Sequence, residues 1–214
     1  MPTILLGKRS VFSVRGADAV RYLNGQVTQD VRLLLQAPKR ALATCITDAK
    51  GKLQAYATMY LMDADVPEIR IEAPLCLREN LLVRLSRYLI ADDAEIEDHS
   101  DEWILVHATG EEMSDAGYQF SRYGIAGQDR WLAVGDELPK ELGTESDMEL
   151  TRIAHTVPLW GAELEEGMLP PEAGLEQLAI SYHKGCYIGQ EVISRIKSAG
   201  KVNRLLKKFQ LESI

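Results

Sequence analysis

A hairpin in the first third of the chain is the feature that most restricts the possible folds. Residues 40–47 are mainly apolar with β-branched residues near the end, and this pattern predicts a strand. The turn sequence Asp-Ala-Lys-Gly at 48–51 follows, and residues 53–62 form a second apolar run. Strands joined by a tight turn are antiparallel, so the sequence predicts an antiparallel sheet built around this hairpin.

Shorter patterns along the chain predict further strands and helices. Strands are predicted at 10–14, 68–72, 95–97, 103–107, 119–123 and 131–134, and helices at 18–24, 74–90 and 147–155. The strict alternation at 68–72 predicts one buried and one solvated face. The helix at 74–90 has a leucine stripe for the core, with Arg78, Arg84 and Arg87 expected on the surface. Residues 135–146 are expected to form a connecting loop, and the whole pattern predicts an α+β fold with antiparallel sheets.

Composition excludes several classes of protein. The 214 residues are 46% apolar and 26% charged, which is ordinary for a globular protein. A net charge of −8 argues against broad affinity for nucleic acid or anionic membranes, so neither is expected as a partner. No apolar run is long enough to span a membrane, and the first 15 residues lack the pattern of a signal peptide. We therefore expect a cytoplasmic protein.

The three cysteines, at positions 45, 76 and 186, are widely spaced and form no C-x-x-C pair. This spacing predicts free thiols in a reducing compartment rather than a zinc or disulfide framework. Iron–sulfur clusters usually require four thiolates, so the chain is not expected to hold such a cluster alone. The four histidines also lack metal-ligand spacing, and no metal site is predicted.

The sequence K-G-C-Y-I-G-Q-E at 184–191 concentrates chemically reactive residue types. Its two glycines allow a tight turn or a close backbone approach. Apolar residues recur every fourth position from Ile188, which predicts a helix that starts there. Cys186 would then lie before a helix N-terminus, where the helix dipole lowers the pKa of a thiol. We interpret Cys186 as an accessible functional thiol, and a buried, space-filling cysteine is the alternative.

This octapeptide resembles the K-G-C-[FY]-x-G-Q-E signature of the YgfZ family. The family comprises folate-binding proteins linked to iron–sulfur cluster assembly and repair, and it is related to the T-protein (aminomethyltransferase) of the glycine cleavage system. Further segments that resemble the family lie at 14–31, 47–52, 152–163 and 169–175. The resemblance therefore extends over nearly the whole chain in the same order.

The resemblance implies a T-protein-like folate-binding fold with folate bound where two units meet. Residues 1–50 with 147–204 would form a discontinuous folate-binding unit, and 51–146 an inserted α+β unit. Family members generally continue into a C-terminal β-barrel. Residues 205–214 would begin that barrel, and we expect the fold to lack the rest of it.

A bound tetrahydrofolate, or another reduced folate, needs walls for its flat ring, hydrogen-bond partners and a cation for its anionic tail. The candidates are Tyr187, Trp160 and Tyr22 for walls, Glu172, Gln190 and Glu191 for the ring, Lys184 or Arg195 for the charge, and the amides of Asn24 and Gln26. A buried polar group without a partner costs about 1–3 kcal/mol. We therefore expect the signature residues and residues 22–30 to surround one cavity.

Three functions are compatible with these residues. The first is a tetrahydrofolate-binding protein of YgfZ type in iron–sulfur cluster assembly or repair, with client or assembly proteins as partners. The second is a folate-dependent aminomethyltransferase, but the acidic pair of the T-protein is replaced here by Gln54 and Ala55, and alanine cannot serve as a base. The third is a noncatalytic scaffold. Whether the protein is an enzyme is left open, and the reactivity of Cys186 distinguishes the scaffold from the other two.

Overall fold

The computed structural model describes residues 3–110 and 113–209. Within them the strands are β1 Thr3–Leu5, β2 Arg9–Arg15, β3 Leu42–Thr47, β4 Leu53–Asp63, β5 Glu68–Pro74, β6 Glu95–Asp98, β7 Trp103–Thr109, β8 Tyr118–Gln119, β9 Gly127–Ala133 and β10 Leu142–Thr144. The α-helices are α1 Ala19–Gln26, α2 Arg32–Gln36, α3 Arg78–Ser86, α4 Glu149–Ala154, α5 Glu176–Ala179 and α6 Gln190–Ala199.

The predicted hairpin is the edge of a five-stranded antiparallel sheet with the order β3-β4-β5-β2-β6. Its turn is closed by the backbone N–H of Gly51, which donates to the carbonyl oxygen of Asp48 at 2.9 Å. The Asp48 carboxylate also accepts from the N–H groups of Lys50 and Lys52, each at 2.8 Å. Gly51 has φ +71°, a conformation that glycine adopts without strain. Local turn chemistry therefore sets the hairpin, as the sequence predicts.

One face of this sheet is apolar and packs against α1 and α3. Phe12, Met59 and Ile71 project from the strands, and Leu23 and Leu85 cover them from the helices. All five side chains are fully buried. Burying a side chain of this size stabilises the fold by about 1.5–3 kcal/mol, so this layer is the main apolar core.

The opposite face of the sheet is rich in polar and aromatic side chains, and a second sheet covers it. That sheet has the order β10-β1-β7-β9-β8. Arg70 and Glu72 of β5 are only 4% and 1% exposed, so the prediction of a solvated face at 68–72 is wrong. The guanidinium of Arg70 lies 4.1 Å from the ring centroid of Trp103 in the second sheet. The alternation does separate two faces of β5, but the face expected to be solvated packs against the second sheet.

The helix predicted at 74–90 is shorter, since a 3₁₀ turn at Leu75–Leu77 leads into α3. Its Arg84 is buried rather than on the surface, so this prediction is wrong. The Arg84 guanidinium donates to the side chains of Gln26 and Gln54 and to the carbonyl of Thr47. These neutral acceptors allow an arginine to be buried between the helix and the hairpin.

The second sheet differs most from the predictions. The strand predicted at 119–123 is limited to β8, and the one predicted at 131–134 begins earlier, at Gly127. The expected loop at 135–146 contains β10, which pairs in parallel with the unpredicted strand β1. Both are three-residue strands, and only the tertiary pairing identifies them. The strand expected from residue 205 onward has no regular structure at 205–209, and its remainder lies outside the described residues.

The α+β class with antiparallel sheets is confirmed, and none of the described strands closes into a barrel. The division into two units stays a prediction; the β3–β4 hairpin links the two predicted units directly. In the ranges 3–110 and 113–209, no helix is both long and apolar enough to cross a membrane.

Candidate functional site

A cavity of about 820 Å³ lies where the two sheets and the C-terminal third of the chain meet. Its inner wall includes Tyr56 of β4 together with Phe120 and Arg122, which follow β8. Arg40 and His155 are exposed lining residues at its rim. Small-molecule sites typically have volumes of about 300–1,000 Å³ and combine apolar walls with a few polar groups. This cavity has both properties.

A narrower cleft adjoins the cavity and shares Tyr56, Phe120 and Arg122 with it. Trp160 and Glu72 line the cleft as well. Only about 60 Å³ is open there, which is room for a few waters rather than for a fused ring. Of these two adjoining spaces, only the larger cavity has room for a ligand of folate size.

Arg122 is held in a fixed orientation by buried acceptors. Its Nη2 donates to the hydroxyl of Tyr60 at 2.8 Å, to Glu72 at 3.0 Å and to Asp129 at 2.7 Å. Its Nε donates to the other oxygen of Asp129 at 3.1 Å. Burial opposes ionisation of Asp129, but Arg122 and His107 outweigh it and hold the pKa of this carboxyl at about 2. The guanidinium plane is therefore fixed by charge-assisted bonds from β4, β5 and β9.

Two polar groups of the inner wall remain available. Neither Nη1 of Arg122 nor the hydroxyl of Tyr56 has a hydrogen-bond partner among the residues of the structure's described ranges. Burial raises the pKa of Tyr56, so its hydroxyl stays protonated at neutral pH and can donate or accept. The ring of Phe120 lies 5.3 Å from the Arg122 guanidinium carbon. The wall thus offers a charged donor, a hydroxyl and two aromatic side chains.

The signature lysine contacts the backbone of a segment that reaches the cavity. Lys184 is buried, and its ammonium donates to the carbonyl oxygens of Val27 at 2.7 Å and Gln29 at 2.8 Å. Gln29 itself lines the cavity. Burial lowers the pKa of Lys184 to about 7, because its oxygen partners are neutral carbonyls. The lysine therefore fixes the backbone next to the cavity.

The second signature glycine allows the segment to pack on the hairpin turn. Gly189 has φ +89°, and a Cβ atom there would lie 2.5 Å from the carbonyl oxygen of Asp48. The hydroxyl of Thr47 donates to the carbonyl of Ile188 at 2.6 Å, and the Ile188 N–H donates to Gly25 at 3.2 Å. The helix predicted from Ile188 begins instead at Gln190, because Gly189 is in the left-handed region.

Cys186 is exposed, in agreement with the predicted accessibility. It lies in a loop four residues before α6, so it is farther from the helix end than expected. Its neighbour Tyr187 is buried in a small cluster with Ile180 and Ile193. Cys45 contrasts with it, since burial raises the pKa of that thiol to about 12.

The other candidate residues make contacts within the fold. Asn24 accepts from the N–H of Val31 at 3.0 Å, Gln26 accepts from Arg84 at 2.8 Å, and Glu172 accepts from the N–H of Leu169 at 3.0 Å. On α6, Gln190 is half-buried, and the exposed Glu191 and Arg195 pair at 2.7 Å.

The structure thus brings residues 25–29 and 184–188 side by side, and the expectation that both segments surround one cavity stays a prediction. None of the nine candidate site residues lines the cavity described above, and their assignment as functional residues stays a prediction. Trp160 does line the adjoining cleft. Tyr22 is not a wall of the cavity, because it is buried in the apolar core and its hydroxyl donates to the carbonyl of Leu85; the expectation for this residue is wrong.

The sequence patterns do not single out Tyr56, Phe120 or Arg122. The alternation in β4 contains a signal for Tyr56, because residues 56, 58 and 60 are polar or aromatic and share one face. Nothing local marks Phe120 and Arg122, since they reach the cavity only when the second sheet folds over the first. In the ranges that the structure describes, no three His, Cys, Asp or Glu side chains are grouped so that they could hold a metal ion.

Comparison with solved structures identifies the fold. The chain aligns with the crystal structure of glycine cleavage system aminomethyltransferase T from Bartonella henselae with a TM-score of 0.73. The alignment covers 92% of this chain and 64% of that protein at 11% sequence identity. The chain therefore has an aminomethyltransferase T fold.

Sequence comparison gives more specific relatives, although no family model matches the chain. It is 28% identical over 216 residues to the tRNA-modifying protein YgfZ of Aliivibrio fischeri strain ES114. That alignment covers 89% of this chain and 65% of the YgfZ protein. It is 27% identical over 213 residues to an uncharacterized Haemophilus influenzae protein, covering 98% of this chain and 74% of the other. The chain thus spans about two thirds of the length of the YgfZ protein. These relatives confirm the resemblance to the YgfZ family.

Proposed function

We propose that this chain is a YgfZ-type protein that binds tetrahydrofolate, or another reduced folate, in the cavity between the two sheets. The observation that carries the proposal is the inner wall, where Tyr56, Phe120 and the oriented guanidinium of Arg122 line one cavity. A pterin ring requires flat apolar contacts and a few fixed hydrogen bonds, and this wall supplies both. The exposed Arg40 at the rim is suited to the anionic glutamate tail.

We further propose that Cys186 is the functional thiol and acts in iron–sulfur cluster assembly or repair, with client or assembly proteins as partners. The relatives from A. fischeri are named tRNA-modifying proteins, and tRNA modification is the process in which we place this activity. The exposure of Cys186 supports a contact with another protein. Lys184 supports a link between thiol and cavity, because it fixes Gln29 of the cavity wall. A cytoplasmic location remains part of this proposal.

The fold is shared with aminomethyltransferase T, but the residues in place of its acidic pair argue against the aminomethyltransferase alternative. Ala55 is fully buried, and the side-chain oxygen of Gln54 accepts from Arg84 at 3.0 Å. Neither residue can supply the carboxylate that the T-protein resemblance places there.

Calorimetric titration with tetrahydrofolate tests the proposal. The wild-type chain is expected to bind, and Phe120→Leu is expected to weaken binding about two- to tenfold, because aromatic packing contributes about 0.5–1.5 kcal/mol beyond area burial. Phe209→Leu is the matched control, since Phe209 is 83% exposed, lies outside this cavity and should leave affinity unchanged. Absence of binding to the wild type, or equal effects of the two variants, would overturn the assignment.

A further inference from the structure

We infer that Arg122 recognises the oxo group at position 4 of the pterin ring, so that the cavity selects 4-oxo folates over their 4-amino analogues. This inference rests on the proposed function and specifies the class of folate. It follows from three properties of the inner wall: a free donor, its fixed orientation and the saturation of the nearby carboxylates.

The free donor is Nη1 of Arg122, for which residues 3–110 and 113–209 supply no hydrogen-bond partner. A guanidinium cannot accept a hydrogen bond, so this atom needs an acceptor, which is water in the empty cavity and an acceptor group of the ligand in the occupied one. Reorientation is opposed because Nε and Nη2 are both held by Asp129, and Nη2 also by Glu72 and Tyr60. The wall therefore presents one donor at a fixed place.

The buried carboxylates beside Arg122 are already satisfied. Glu72 accepts from Arg9 with one oxygen and from Arg122 with the other. Asp129 accepts from His107 at 2.7 Å, from the hydroxyl of Tyr60 at 2.7 Å and twice from Arg122. The amino edge of a pterin, which carries donors, thus finds no free carboxylate at this wall. The edge of the pterin ring that carries the 4-oxo acceptor therefore complements the donor on this wall.

Replacing the 4-oxo group by an amino group exchanges an acceptor for a donor at the same position. Two donors then face each other, and the charged Nη1 loses its partner inside the cavity. Tyr56 does not compensate, because its hydroxyl adapts to either group and gives no discrimination. Loss of a hydrogen bond to a charged group lowers affinity by about 10- to 100-fold.

The test compares tetrahydrofolate with 4-amino-4-deoxytetrahydrofolate, which has the same tail, by calorimetry on the wild-type protein. The amino analogue is expected to bind at least about tenfold more weakly. Because only the ligand changes, the result does not depend on whether a variant folds. Equal affinities would overturn the role of Arg122 and leave folate binding intact. If neither ligand binds, the proposed function and this inference both fail.

Two variants connect the discrimination to Arg122. Arg122→Gln is expected to reduce the affinity ratio of the two ligands to near one, since an amide can turn either its oxygen or its nitrogen to the ligand. Arg122→Lys preserves the charge beside Glu72 and Asp129 and is the second variant if the glutamine variant does not fold. It should lower the ratio as well, because an ammonium does not keep the planar contacts. Arg40→Gln is the matched control at the rim, and it should weaken the binding of both ligands equally. An unchanged ratio in a folded Arg122 variant contradicts the inference.

Discussion

The segment at 184–191 and the cavity between the sheets differ in how their functional groups are used. The segment is rich in reactive residue types, yet Lys184 is engaged by two backbone carbonyls, and Gly189 serves close packing. Of the residues on the inner wall of the cavity, only Tyr56 has a signal in the local sequence, yet Tyr56 and Arg122 carry polar groups that have no partner among the described residues. Tertiary contacts therefore decide which side chains are available, and residue types alone do not.

The difference suggests a division of roles. The segment joins α6 to the hairpin turn and to residues 25–29, and it leaves Cys186 exposed on that support. The cavity provides the binding surface. Substitutions in the two regions can test whether the segment is structural except for its thiol, and their expected effects range from several kcal/mol to a few tenths.

The largest effect is expected for Gly189→Ala. A side chain at φ +89° is strained, and its Cβ would collide with the backbone of the hairpin turn. The free energy of unfolding should fall by about 3 kcal/mol, measured by urea denaturation. Gly185→Ala is the matched control within the same segment, because a Cβ added there would have no atom within 4 Å and the φ of Gly185 is not positive. It should change stability by less than about 0.5 kcal/mol. Equal effects of the two substitutions would show that the segment does not pack as described.

Lys184→Met should change the pH dependence of stability. The pKa of Lys184 is about 7 in the folded protein, below its ordinary value of 10.5; burial is the main cause, Asp30 opposes the shift and Arg32 adds to it. Between these values the unfolded chain binds more protons, so the wild-type free energy of unfolding gains up to about 1.4 kcal/mol per pH unit from this lysine as pH rises. The variant lacks this gain. Urea denaturation at pH 7.5 and 9.5 measures it, with Lys50→Met on the exposed turn as the control. A constant difference between wild type and Lys184→Met across this range contradicts the burial of the ammonium.

The sequence predicts local features of the fold well and distant contacts poorly. The β3–β4 hairpin follows from its turn residues, and the leucine stripe correctly marks the buried side of α3. The prediction fails where a second layer is needed, because the alternation at 68–72 cannot show whether water or another sheet covers Arg70 and Glu72. The candidate site shows the same limit. The sequence predicts the accessibility of Cys186, whereas the orientation of Arg122 depends on contacts with β4, β5 and β9 that no local pattern reveals.

The thiols provide a smaller, more local test. Cys76 and Cys186 are exposed and Cys45 is buried, so native protein should take up two alkyl groups and denatured protein three, counted by mass spectrometry. Cys186→Ala should lower the native count to one and change the free energy of unfolding by less than about 0.5 kcal/mol. Cys76→Ala is the control for the count. A stability loss of several kcal/mol in Cys186→Ala would make the cysteine structural, in favour of the scaffold alternative.

The smallest effect is expected for Arg195→Gln, which tests whether this residue contacts folate. Its guanidinium pairs with Glu191 on the exposed face of α6, and such a pair contributes about 0.3–0.5 kcal/mol to stability. Because Arg195 does not line the cavity, tetrahydrofolate affinity should be unchanged, whereas Arg40→Gln at the rim should weaken it. Calorimetry on both variants measures the difference. If Arg195→Gln weakens binding and Arg40→Gln does not, folate lies against the signature segment, and the roles assigned to the two regions are reversed.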